Sequence, residues 1–313
     1  MLAAFPQPEG ISNARTQPES RFRRRASAKT EERALSNPWT KTRVMIANAG
    51  VRGAAGFLCK ERFWRFARSV AAPAFKAWTY QLRSRFSPGP MYVRAGSSDR
   101  RVFRQVLLNL EYDCFPNVRE PRLIVDCGAN VGYASVFFLG RHPSAHVIAI
   151  EPEPDNFALL RRNTAPYGER VTAIQSGVWS HATGLTIRRG EFGDGREWAT
   201  QVSETPSGQT PDIQAVDLGG VLLASGFPRI DILKVDIERT EMELFGRGTE
   251  HWLDRVDNLV IELHGPDCGK VFFEAVQGKD YELSRRGELT ILEGLRARAG
   301  TEGGTPTHFT END

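Results

Sequence analysis

Asp126, Glu151, Asp236, Glu238, Glu262 and His264 each stand at or just beyond the end of a short apolar run. Carboxylates placed this way can accept hydrogen bonds from hydroxyls, balance a positive charge or take a proton. An imidazole, which titrates near neutrality, can also take one. Behind Asp126 the chain reads Cys127-Gly128-Ala129-Asn130-Val131-Gly132. Glycine lets backbone come close to a ligand where a β-carbon would collide. A dinucleotide turn would read G-x-G-x-x-G and seat a pyrophosphate on a helix N-terminus. This turn is one glycine short and sets an acid where a phosphate would lie. Asp126 therefore reads as the partner of a cationic amino acid portion. Glu151, 25 residues further on, is placed to accept hydrogen bonds from both hydroxyls of a ribose. Gly177 and Val178 end the next run. Acid, glycine turn and second acid fit S-adenosylmethionine, which joins an amino acid, a positive sulfur, a ribose and an adenine.

These residues need elements to hold them. "RLIVDCG", "HVIAIEP", "VTAIQSGVW", "IDILKVDIE" and "NLVIELHG" read as strands. "NVGYASVFFLGRH", "PDNFALLRRNTAPYG", "VDLGGVLLASG" and "RTEMELFGRGTEHWLD" read as the helices between or after them, with Asp155 or Asn156 capping the second. Such alternation predicts crossover units on a parallel sheet with helices on both faces. "DYELSRRGELTILE" predicts two strands meeting at Arg286 and Gly287, an antiparallel pair that closes the sheet. Ahead of the first acid, "MYVRAG" reads as a strand. "SSDRRVFRQVLLNLEYD" reads as a helix with Ser97 or Ser98 as N-cap. Open parallel sheets bind ligands beyond the carboxyl ends of their strands, where strand order reverses. The candidate residues all fall there.

"LIVDCGANVGYASVFF", "VIAIEPEPDNFALLRRN", "IDILKVDIERTEMELF" and "LVIELHG" resemble the FkbM family of S-adenosylmethionine-dependent O-methyltransferases. "VRAGSSDRRVFRQVLLNLEY" resembles the segment that family carries ahead of its first strand, and the resemblance spans roughly residues 91–292. It implies an α/β Rossmann-like class I methyltransferase fold: a mostly parallel seven-stranded sheet, helices on both faces and an antiparallel C-terminal pair. It implies cofactor contacts from Asp126, Gly128, Asn130, Gly132 and Glu151, and an adenine-side turn at residues 176–179, around Gly177 and Val178. The family's K-x-D-x-E-G stretch matches Lys234, Asp236 and Glu238, but Arg239 stands where the glycine belongs. The implied acceptor is a hydroxyl of a sugar, glycolipid or polyketide-like molecule. An aliphatic hydroxyl needs a general base as its bond to carbon forms. His264 is the first choice, with Glu238 and Glu262 next and Asp236 beside them. A divalent ion held by Asp236, Glu238, Glu262 and His264 is the lesser alternative.

Composition sets the surroundings. Residues 1–90 carry 17 Lys and Arg against 5 Glu, whereas the rest carries 24 basic against 33 acidic residues. A basic arm thus joins an acidic body, which argues against nucleic acid as the substrate. Residues 1–40 are expected to be disordered, 41–90 to form basic amphipathic helices able to touch a membrane surface, 91–298 to form the catalytic domain and 299–313 a flexible tail. "GEFGDGREWATQV", residues 190–202, is a candidate lid. No apolar run reaches about 18 residues, and the first ten residues lack a basic start before an apolar core. Four cysteines with no C-x-x-C spacing read as free thiols, and the whole as a cytoplasmic protein.

Overall fold

The structure, a computed structural model, describes residues 78–189 and 201–298. The expectations for residues 1–77, 190–200 and 299–313 lie outside the described residues.

At the centre is β3 (Leu123–Cys127), buried along its whole length. It lies parallel to β4 (His146–Ile150) on one side and to β10 (Ile232–Val235) on the other. Beyond β4 comes β5 (Val171–Ile174). Beyond β10 come β11 (Asn258–Glu262), β13 (Leu289–Ala297) and β12 (Lys279–Arg286). The order is therefore β12-β13-β11-β10-β3-β4-β5; β13 alone runs against the others, so it is antiparallel to both β11 and β12. This is the seven-stranded sheet with an antiparallel C-terminal pair that the sequence predicts. The chain runs outward from β3 through β4 to β5, then returns to place β10 on β3's other edge. The strand order reverses between β3 and β10, and a crevice opens at their carboxyl ends.

Side chains on β3 alternate between two cores, as a strand's period of two requires. Ile124 packs with α1 (Asp99–Phe103), α2 (Tyr133–Arg141) and α3 (Pro154–Thr164), through Phe103, Phe137 and Leu160. Leu123, Val125 and Cys127 pack with α4 (Leu218–Ser225), α5 (Glu241–Gly246) and α6 (Pro266–Ala275), through Leu222, Phe245 and Phe272. Truncating a buried aromatic such as Phe272 to Ala costs about 3–5 kcal/mol, so each face contributes several such increments.

The structure departs from the sequence reading at several elements. Residues 78–90 are not helical: β1 (Thr79–Leu82) pairs antiparallel with β2 (Met91–Arg94). The turn after β1 sends Phe86 into the core, 4.9 Å from the Phe137 ring. Gly140 permits this approach, since a β-carbon there would stand 2.3 Å from the Phe86 carbonyl. "VTAIQSGVW" is not one strand. It breaks after Ile174, and β6 (Gly177–Val178) joins β7 (Gly184–Arg188), β8 (Gln201–Glu204) and β9 (Ile213–Val216) in a second, four-stranded sheet. The helix after β10 stops at Gly246, because Arg247 is extended and Gly248 left-handed; two 3₁₀ turns follow. The helix over Asp99 passes into a π-helical turn, Arg104–Leu108. Finally, Ser98 and Glu153 hold the N-cap positions of α1 and α3 without side-chain capping bonds. Asn156 instead turns inward toward the crevice.

Cys114, Cys127 and Cys268 are free thiols. Among the described residues, no helix is long and apolar enough to cross a membrane.

Candidate active site

The crevice at the switch point is a cleft of about 1380 Å³, part of it open to solvent. Its floor is the turn after β3. Gly128, Asn130 and Gly132 all have positive φ there. Gly128 is required by crowding: a β-carbon would fall 1.8 Å from the Asp236 carbonyl oxygen of β10's exit. Gly132 faces Leu160 instead of the cleft.

The turn's amides are already used. Gly128 and Ala129 N–H both donate to the Ile150 carbonyl, at 3.0 and 2.9 Å, and Gly132 N–H donates to Ala129 O. Asn130 N–H donates to Glu151 Oε2 at 2.8 Å. A phosphate seated here would meet none of these four donors, which weakens the turn as a diphosphate cradle.

Asp126 does not face the cleft, contrary to the sequence reading. Its side chain is fully buried. Ser135 donates to its Oδ2 at 2.6 Å, and the Lys234 ammonium lies 3.1 Å from its Oδ1. Lys234 also donates to the carbonyls of Gly128 and Cys127. Burial alone would lower the Lys234 pKa, but the charges of Asp126 and Asp236 outweigh it and raise it. The pair is therefore a clamp that ties the glycine turn to β10. Removing one member of such a buried pair typically costs about 3–5 kcal/mol.

Glu151 lies in the cleft wall at the end of β4. Besides Asn130, it accepts from Glu153 N–H and from Asn156 Nδ2, both at 3.1 Å. Burial pushes its pKa up to about 7, against the pull of those donors. Asn156 is held in turn by Arg94, whose guanidinium donates to Asn156 Oδ1 at 2.7 Å and to Asp99. A chain of contacts thus runs Asp99–Arg94–Asn156–Glu151, and it explains why the segment ahead of β3 matters to the site. Ser176, Gly177 and Val178 line the wall beside Glu151.

The opposite end is acidic. Asp236, Glu238 and Glu262 line it, joined by Glu111 and Glu288. His264 lies just behind, with its Nε2 3.9 Å from Asp236, 3.7 Å from Glu238 and 3.7 Å from Glu262. Its Nδ1 meets Oε1 of the fully buried Glu241 at 2.7 Å. Burial pushes the Glu238 carboxyl up to about 7, helped by Asp236 and Glu241 and opposed by His264. Burial, then Asp236, likewise pushes Glu262 up to about 7. For His264, burial lowers the pKa, but the Glu241 hydrogen bond and the surrounding acids outweigh it and push it up to about 9. The backbone between β10 and α5 is strained: Glu238 and Arg239 have φ of 47° and 70°. Side-chain-bearing residues seldom occupy that region, and such strain gathers at functional sites. The Arg239 guanidinium lies beside Gly265, outside the cleft wall.

The structure thus brings Gly128, Asn130, Glu151, Gly177, Val178, Asp236, Glu238 and Glu262 to one cleft, with His264 behind it. Asp126 and Gly132 serve the turn from beneath. Sequence reasoning passed over Glu241, Glu111, Glu288, Arg94 and Asn156. Glu241 carried a signal, standing one helical turn after Glu238. Glu111 and Glu288 carried none, since only tertiary folding brings the turn after the π-helical segment and the β12–β13 hairpin over the cleft.

Strand order, switch-point cleft and glycine turn together define a Rossmann-like class I methyltransferase. The methyltransferase FkbM domain matches residues 126–283, and the chain belongs to that family and is a methyltransferase. Methyltransferase sdnD of Sordaria araneosa is 27% identical over 215 residues, covering 59% of this chain and 82% of that protein. The 31-O-demethyl-FK506 methyltransferase FkbM of Streptomyces tacrolimicus is 24% identical over 177 residues, covering 48% of this chain and 68% of its own. The hexuronic acid methyltransferase AglP of Haloferax volcanii is 25% identical over 178 residues, with coverages of 55% and 70%.

Proposed function

We propose that this methyltransferase uses S-adenosylmethionine and methylates a hydroxyl group of an oxygen-rich small molecule of sugar or polyketide type. The observation that carries the cofactor reading is the charge of the cleft. Glu111, Glu151, Asp236, Glu238, Glu262 and Glu288 line it, against Arg101 and Lys234. A sulfonium nucleoside suits such walls, whereas a dinucleotide would bring two phosphates to them. The negative potential first ascribed to Asp126 is supplied instead by these acids.

S-adenosylmethionine supplies, when bound, a methyl group already activated for transfer. The remaining work belongs to the chain. Glu151 would hold the ribose, with Asn130 and Asn156 fixing its carboxylate, and residues 176–178 would border the adenine. Glu238 is the best-placed base, since it lines the cleft with its side chain mostly buried beside His264. Both nitrogens of His264 face other carboxylates, so His264 positions the acids instead of meeting the acceptor. The relatives' printed activities, on a hexuronic acid and on 31-O-demethyl-FK506, support hydroxyl-rich acceptors.

The test is label transfer from methyl-labelled S-adenosylmethionine to a panel of neutral sugars, uronic acids and polyketide alcohols. Appearance of a methyl ether in a panel member supports the reading. Label appearing only on RNA or on protein would contradict it.

A further inference from the structure

We propose that Asp236, Glu262 and His264 form a binding site for one hard divalent cation of the Mg²⁺ or Mn²⁺ kind. These residues come from the exits of adjacent strands, Asp236 after β10, Glu262 ending β11 and His264 just beyond it. One ligand atom from each lies within 4.8 Å of the others.

The disposition of His264 sets this group apart from an ordinary acidic patch. Its Nδ1 is committed to Glu241, a carboxylate with no exposure. That leaves Nε2 pointing at the acids. It stands 3.9 Å from Asp236 Oδ1 and 3.7 Å from Glu262 Oε1, and it hydrogen-bonds to neither. Nitrogen and carboxylates held at hydrogen-bond range would have closed to about 2.8 Å. Ligand atoms around an octahedral ion at about 2.1 Å stand about 3 Å apart when adjacent and about 4 Å when opposite. The two separations from Nε2 to the carboxylates fall in that interval. A buried carboxylate behind one nitrogen of a histidine, with the other nitrogen presented to further ligands, is the usual outer support of a metal-bound imidazole.

Charge supplies an independent argument. Among the described residues, Glu238, Glu241 and Glu262 have His264 as their only ion-pair partner. The second oxygen of buried Glu241 has no hydrogen-bond partner. Lys234, 3.7 Å from Asp236, is already committed to Asp126. The protein gathers more negative charge here than it balances, and a divalent ion would restore the balance. Its binding is independent of the methyl-transfer reading. Its use rests on that reading: an acceptor hydroxyl on the ion becomes more acidic, its proton passing to Glu238.

The test uses the full chain, stripped with chelator and titrated with Mn²⁺ while free Mn²⁺ is followed by electron paramagnetic resonance. The expected result is one Mn²⁺ per chain, displaced by Mg²⁺. Glu262→Gln and Glu241→Gln should each weaken it by about ten- to hundredfold. Both keep the shape of the side chain they replace, and far-ultraviolet circular dichroism checks their folding. His264→Ala serves as the third variant. Retention of no Mn²⁺ by the folded wild-type chain at millimolar concentration would overturn the site. So would equal retention by wild type and every folded variant. Calorimetry with S-adenosylmethionine separates the two readings. Cofactor binding without ion binding removes the metal site alone, and ion binding without cofactor binding supports the site while removing the cofactor reading.

Discussion

At the scale of single residues, position along a strand was legible and partnership was not. Asp126 could be placed at the end of β3 from its flanking residues. Its partner Lys234 lies 108 residues away, and only the register of β3 with β10, which sets Asp126 opposite Lys234, brings them together. The sequence reading therefore gave Asp126 a ligand where the fold gives it a lysine. Glu151 kept both its place and its exposure to the cleft. Its behaviour with pH follows from burial. A ribose donating two hydrogen bonds prefers the ionised carboxylate, so binding must pull down a pKa that burial holds near 7. The sign follows: affinity falls as pH drops below 7, because a proton must then leave. S-adenosylmethionine should bind roughly tenfold more weakly at pH 6 than at pH 8. Glu151→Gln should bind about ten- to hundredfold more weakly at pH 8, as expected for hydrogen bonds to a charged group, and should lose the pH dependence. Titration calorimetry at the two pH values checks both. A pH dependence that persists unchanged in Glu151→Gln would contradict the assignment.

At the scale of elements, the parallel strands were legible because a strand buried on both faces is a continuous apolar run, as in β3, β4 and β11. The hairpin was legible because Arg286-Gly287 stands between two alternating stretches. The second sheet was not. Its strands are two to five residues long, and half-exposed alternation over so short a length resembles loop. Helix α6 was missed because its apolar residues are few before Val271 and a glycine interrupts it. The departure at Arg239 was legible as a departure, and its consequence is now visible as a left-handed residue entering α5. Holding a residue with a side chain there costs about 1–2 kcal/mol. Arg239→Gly relieves that strain and loses about half of the gain to the freer unfolded chain. Urea denaturation should find it as stable as the parent or more so, by up to about 1 kcal/mol. Arg239→Val should be less stable by more than about 1 kcal/mol, since β-branched residues tolerate this region worst. Equal stability of the two variants would show that the turn is not strained.

At the scale of the molecule, the alternation of strand and helix set the sheet, and the sheet set the switch point, before any side chain was considered. The electrostatic character of the cleft also came through, but by a different route. One acid near the glycine turn was expected to meet a positive ligand. The fold neutralises that acid internally and lines the cleft with others from the exits of β4 and β10, the end of β11, the turn after the π-helical segment and the C-terminal hairpin. Of the basic stretch 1–90, the described part, residues 78–90, supplies β1 and anchors Phe86 against Phe137. The central claim is that the cleft takes a positively charged nucleoside and rejects a diphosphate, because four of its turn amides are spent and its walls are acidic. Paired calorimetric titrations of the full chain with S-adenosylmethionine and with nicotinamide adenine dinucleotide test it most directly. Saturable one-to-one binding of the first and no heat from the second is the predicted result; binding of the dinucleotide alone would contradict the account.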